Sequence, residues 1–298
     1  MTTEHPHRSD EPHAQGGGVR LQRFMAAAGV GPRRACERMI EEGRVKVNGR
    51  RVTRLPAFVV PGQDRVSVDG RPLSAERARP VYIMVNKPER TLVTSADEPG
   101  MGRTTVLDLV DHPAKPRLVA AGRLDYSTTG LVLLTSDGPM VNRLTHPRFG
   151  VPKVYRAVVK GALQAPDLLR IRGAMLKDLR RADRAAPRPR PGERGSGLEL
   201  RVAGREMGRT VLEIELSEGR TGNLAKMLAA AGVAVRKLER TAIGPLRLTG
   251  LARASWRELD RHEIRSLRDA ARGRPGSREP APNARADARQ RSRQRRPA

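Results

Sequence analysis

The chain has 298 residues, with 58 Lys and Arg against 32 Asp and Glu and a formal charge of +26. A field of that sign favours a polyanion, nucleic acid first, and no apolar run approaches the ~18 residues of a membrane span. The single cysteine, Cys36, excludes disulfide frameworks and cysteine metal clusters, and the opening residues lack the apolar core of a signal peptide, so a cytoplasmic location is expected.

Residues 1–18 and 266–298 are polar with almost nothing to bury, and are read as disordered tails. The second is a basic arm suited to sequence-independent RNA contacts. His5, His7 and His13 fall in the first tail and are read as solvated, so no metal is assigned. From Val19 the pattern changes. Leu21, Phe24, Met25 and Ala28 follow i, i+3, i+4, i+7, the stripe of a short helix ended by Gly29. Pro32 opens a second helix with Ala35, Met39 and Ile40 inward and Gly43 as its stop. Val45 and Val47 then alternate with Arg44 and Lys46 into Asn48-Gly49, a hairpin signal. Arg33, Arg34, Lys46, Arg50 and Arg51 gather on this small unit. Singly each reads as a solvated surface residue; as a set they point to phosphate contacts.

"RLQRFMAAAGVGPRRACERMIEEGRVKVNGRRV", continued by "DRVSVDG", resembles the RNA-binding domain named after small-subunit ribosomal protein S-four. That domain is assigned to residues 19–77. The resemblance implies RNA as the partner and says nothing of a reaction.

Residues 78–265 read as an α+β domain with a mixed, mainly antiparallel sheet. Strand-like runs fall within 79–95 (Val81, Tyr82, Ile83, Val85) and at 131–135, 154–159, 197–203 and 210–216. Helical patterns lie near 138–145, 165–173 and 221–231, and 182–197, rich in Pro, Gly and Arg, reads as an exposed loop. There is no P-loop, Gly-rich dinucleotide motif, Gly-x-Ser-x-Gly or paired His/Cys arrangement. Chemistry is left to "GRLDYSTTGLVLLTSDG", residues 122–138, and to Asp125 within it. An Asp before Ser, Thr and Gly can cap the backbone amides of its own turn. Alternatively, an ionised carboxylate can attack an anomeric carbon, which a nucleotide supplies at its glycosidic bond. The spacing leaves both readings open.

The same stretch resembles the central motif of the pseudouridine synthases, in the ribosomal branch that carries the N-terminal RNA-binding domain described above. "NKP" at 86–88, "GRTTVLDLV" at 102–110, "LTHPRFGVPKVYRAVVKG" at 144–161, "LSEGR" at 216–220, "KMLAAAGVAVRKLERTAIGPLRL" at 226–248 and "WREL" at 256–259 agree in order. The resemblance implies isomerisation of a uridine in ribosomal RNA, the large subunit favoured, without cofactor or metal, by a monomer acting on rRNA or a ribosome-assembly intermediate. Asp125 is implied as the catalytic residue and Tyr155 as the ring against the target base. It also implies substrate-binding roles for Arg123, Leu224, Arg220 and Lys226, and phosphate contacts for Lys87 and Lys153. One position departs from the pattern. Ala225 stands where the family places an arginine that pairs with the catalytic carboxylate, which leaves three readings open: Lys226, Arg220 or another basic residue substitutes, the site is slow, or the chain binds RNA as a non-catalytic assembly factor.

Overall fold

The computed structural model describes residues 18–73, 79–94, 101–184, 197–217 and 224–272. The N-terminal unit comprises β1 (Val19–Arg20), α1 (Leu21–Ala27), α2 (Arg33–Glu41), β2 (Val45–Val47), β3 (Arg50–Val52), β4 (Phe58–Val59), β5 (Val66–Val68) and β6 (Arg71–Pro72). Helix α1 has seven residues and no side-chain cap, so burial must hold it. Leu21 and Met25 pack with Cys36 and Ile40 of α2 against Val45, Val47, Val66 and Val68 of the sheet β3-β2-β5-β6. Pro32 sits at the N-cap of α2, one residue earlier than its expected place inside the helix. Asn48 and Gly49 both take positive φ, 50° and 83°, as a tight turn between twisted strands demands. Arg33, Arg34, Lys46, Arg50 and Arg51 are all exposed.

The larger unit follows with β7 (Tyr82–Lys87), β8 (Val119–Ala120), β9 (Thr129–Thr135), α3 (Gly138–Thr145), β10 (Lys153–Lys160), α4 (Ala165–Arg184), β11 (Leu198–Glu206) and β12 (Arg209–Leu216). It ends with α5 (Leu224–Ala230), β13 (Val235–Ile243), β14 (Leu246–Arg247), β15 (Trp256–Glu258) and α6 (Arg261–Ala270). Its sheet has the order β11-β12-β10-β13-β9-β7-β15, with β14 added on β13 and β8 on β9. Pairing is antiparallel throughout except between β13 and β9. Side chains alternate faces along a strand, so the central strands feed two cores. Ile83, Val85, Val132 and Leu134 meet α4 and α5 on one side. Tyr82, Met84, Leu131 and Leu133 meet α3 and α6 on the other. Burial on both faces is why 131–134 reads as an unbroken apolar run.

Two expected borders move. Helix α4 continues to residue 184, past 173 and into the stretch read as a loop from 182, because Ile171, Met175 and Leu179 keep one face in the core. Residues 185–196 lie outside the described residues. Helix α6 crosses the expected domain end at 265: an Asp260–Glu263 capping box starts it, and Leu267 and Ala271 are fully buried. Residues 266–272 therefore belong to the folded domain, the charged residues around Leu267 having disguised a buried stripe. Residues 1–17 and 273–298, including the three N-terminal histidines, lie outside the described residues.

The parallel pair β9–β13 needs a residue without a side chain. Gly130 has φ of +105°, and a Cβ there would stand 2.3 Å from the Arg240 carbonyl oxygen and 2.8 Å from its nitrogen. Both the conformation and the contact exclude alanine. We expect Gly130→Ala to cost at least about 2–3 kcal/mol in chemical denaturation. Gly138→Ala, where a Cβ meets nothing within 4 Å, should be close to neutral.

Candidate active site

The loop between β8 and β9 is anchored by its apolar members. Leu124 is 8% exposed within the larger core, Thr128 and Thr129 are buried, and Arg123, Tyr126 and Ser127 face solvent, with Asp125 half-buried among them. The turn closes through backbone alone: the Thr128 amide donates to the Asp125 carbonyl at 3.1 Å. Among the described residues none donates a hydrogen bond to the Asp125 carboxylate. Asp137, twelve residues on in the same motif, behaves differently. It caps α3 by accepting from the Met140 amide at 3.1 Å and takes the Tyr82 hydroxyl at 2.6 Å. The turn-capping role open to Asp125 in the sequence is not the one its carboxylate plays.

Lys87, at the end of β7, is 0% exposed. Its ammonium donates to the carbonyls of Pro88 at 2.9 Å and of Tyr126 at 3.4 Å, and the Arg90 amide joins it on Tyr126 at 2.9 Å. Burial pulls this ammonium down from 10.5 to about 8, opposed by the negative charges of Asp125 and Glu89. The expectation of a phosphate contact at Lys87 is corrected: the ammonium is enclosed beneath the loop that presents Asp125.

Strand register explains how distant residues converge. Tyr155 on β10 faces Arg240 on β13, Arg240 faces Gly130 on β9, and Gly130 faces Lys87 on β7. These four form one row across the sheet, and the Asp125 loop enters β9 beside it. Leu124, Tyr155 and Leu224 share one hydrophobic cluster, and half-buried Ala225 packs against it. Tyr155 is 8% exposed. Lys153 is half-buried at the start of β10, Lys226 is exposed on α5, and Arg220 lies outside the described residues.

Sequence reasoning missed Arg240. It is 2% exposed; its Nε donates to the Leu131 carbonyl at 2.8 Å and its Nη1 to the Arg123 carbonyl at 3.4 Å. Its buried Nη2 has no hydrogen-bond partner among the described residues. A signal existed in the period-two pattern, because Arg240 shares a strand face with buried Leu238 and Ala242.

The titration of Lys87 gives a test. Below about pH 8 the folded and unfolded chains both hold its proton; between there and 10.5 only the unfolded chain does, so stability rises with pH. Across that window the wild-type chain should gain about 3 kcal/mol relative to Lys87→Met in denaturant melts. A difference that stays flat would refute the burial of a titrating ammonium.

Residues 81–230 match the RNA pseudouridylate synthase family and residues 19–66 the S4 domain. An uncharacterized RNA pseudouridine synthase of Aquifex aeolicus is 40% identical over 251 residues, covering 84% of this chain and 93% of the relative. The ribosomal large subunit pseudouridine synthase B of Bacillus subtilis is 38% identical, covering 85% and 96%. A crystal structure of a pseudouridylate synthase superposes with a TM-score of 0.53 at 26% identity, over 84% of this chain and 99% of that one.

Proposed function

We propose a specific reaction for this chain, which belongs to the RNA pseudouridylate synthase family. It converts one uridine of large-subunit ribosomal RNA to pseudouridine, with Asp125 as nucleophile. The observation behind this reading is the Asp125 carboxylate itself: half-buried, uncommitted to its own turn, and within the field of a buried ammonium. A carboxylate that does not cap its own turn and stands in the field of a nearby cation is available as a nucleophile.

In this reading the carboxylate attacks C1′ as the bond from C1′ to N1 breaks, and uracil leaves with that electron pair. The freed base turns in the pocket, C5 attacks C1′ and displaces the carboxylate, and the proton lost from C5 is balanced by one gained at N1. Substrate and product are isomers, so no redox partner is consumed. Tyr155 and Leu224 supply an apolar wall for the turning base. Extruding the uridine costs a few kcal/mol, which the exposed cations of the S4 unit help to offset by holding the surrounding RNA. The working partner is then rRNA or an assembling ribosomal particle, in the cytoplasm.

Deleting the gene should remove one carbodiimide-dependent reverse-transcription stop from large-subunit rRNA. Asp125→Asn should abolish restoration of that stop while RNA affinity stays within a few-fold, since the change is nearly isosteric. Persistence of every stop in a strain without a paralogue would end the enzyme reading.

A second reading, an rRNA-binding assembly factor without catalysis, draws on Ala225. Its short side chain lies against the cluster that holds Leu124 and Tyr155 and brings no charge to it. A bidentate arginine would orient the carboxylate better than a lysine bound to carbonyls. Ala225→Arg should therefore raise the single-turnover rate on unmodified rRNA with little change in binding. If wild type and Ala225→Arg are both inert, the assembly-factor reading prevails.

A further inference from the structure

Aromatic residues are scarce here: three tyrosines, three phenylalanines and one tryptophan in 298 residues. Six of these side chains are buried or half-buried, and only Tyr126 is exposed, at 43%. It follows Asp125 directly. Its ring belongs to neither core of the larger unit. The cation–π contacts of the described residues lie elsewhere, Arg148 on Phe149 and Arg268 on Tyr82.

An exposed ring is unremarkable on a floppy loop, but this backbone is fixed. The Tyr126 carbonyl receives both the Arg90 amide and the Lys87 ammonium, and the Thr128 amide closes the turn on Asp125. Arg90 itself holds a left-handed φ of 58°, a conformation that a non-glycine residue takes at a cost of order 1–3 kcal/mol. The strained residue is the one that pins Tyr126. Arg90 and Arg123 are both exposed on this loop pair. A rigidly presented aromatic face flanked by exposed guanidinium groups is what single-stranded nucleic acid binds, base on ring and phosphate on cation.

We propose that Tyr126 is a stacking platform for the base adjacent to the target uridine, holding the strand open at the mouth of the site. This rests on the reading that RNA enters at Asp125. Once the target base leaves its stack, its neighbour loses a stacking partner, and the tyrosine ring replaces it. Being one residue from the carboxylate, the platform also fixes how far along the strand the reactive ribose lies. The ring face is the active feature and the hydroxyl is dispensable.

The test compares full-length wild type, Tyr126→Phe and Tyr126→Leu on an unmodified large-subunit rRNA transcript, by affinity and by single-turnover rate at subsaturating protein. Tyr126→Phe should stay within about twofold of wild type. Tyr126→Leu should lose about tenfold, in the range that one base-on-ring contact supplies. Its loss should be the same at low and high salt, because stacking releases no counterions, and its thermal midpoint should be unchanged. In Tyr126→Trp, the added indole fluorescence relative to wild type should be quenched on RNA binding. Equal behaviour of the Leu and Phe variants, or an unquenched indole, would overturn the platform. The two proposals fail separately. Wild type that forms pseudouridine with Leu equal to Phe removes the platform alone, whereas a Leu-specific loss of binding without any pseudouridine removes the reaction alone.

Discussion

A backbone contact that only glycine permits, Gly130 against Arg240, determines where everything at the site can stand. Because β9 has no Cβ at that point, β13 can run beside it in parallel within an otherwise antiparallel sheet. That single parallel pairing aligns Tyr155, Arg240, Gly130 and Lys87 in one row. It also lets the Arg240 guanidinium reach back to the Arg123 carbonyl while the Lys87 ammonium reaches the Tyr126 carbonyl. With the Thr128 amide on the carbonyl of Asp125 itself, the backbone is held at residues 123, 125 and 126. Preorganisation of this kind fixes the backbone from which the Asp125 side chain projects.

The electrostatics follow from burial. A lysine ammonium satisfied by carbonyls alone is expensive to enclose, and its depressed titration shows it. The nearby carboxylate recovers part of that cost by attraction. Arginine differs in geometry: the planar guanidinium of Arg240 donates to two carbonyls at once, those of Leu131 and Arg123. A chain with alanine at 225 thus retains two buried basic side chains near the loop, Lys87 and Arg240.

Local patterns made much of the fold legible. The stripe of α1, the Asn48-Gly49 turn and the apolar run of β9 are each decided by neighbours in sequence, and each formed where the pattern put it. Asp125 and Tyr155 were read from motif resemblance, and register brings their elements together. What could not be read was which charged residues go inside. Lys87 looked like a surface cation because lysine usually is one, and its burial depends on Gly130 and Tyr126, more than thirty residues later in the chain. Arg240 was hidden for the same reason, its partners lying over a hundred residues away. The extension of α4 and the presence of α6 were masked by arginines on their outer faces.

Charge and position then divide the work of recognition. The five basic residues that gather on the S4 unit are exposed, so their field reaches RNA phosphates at a distance and weakens as salt screens it. Lys87 and Arg240 carry equal formal charge but are enclosed, so they add little to that attraction and instead hold the Tyr126 and Arg123 carbonyls of the loop. A net charge of +26 therefore overstates what the site itself presents to RNA. Long-range attraction cannot choose one base among thousands, since every phosphate carries the same charge. Choice between bases has to come from short-range shape, and to that enclosed cations contribute only by holding the backbone from which exposed side chains project.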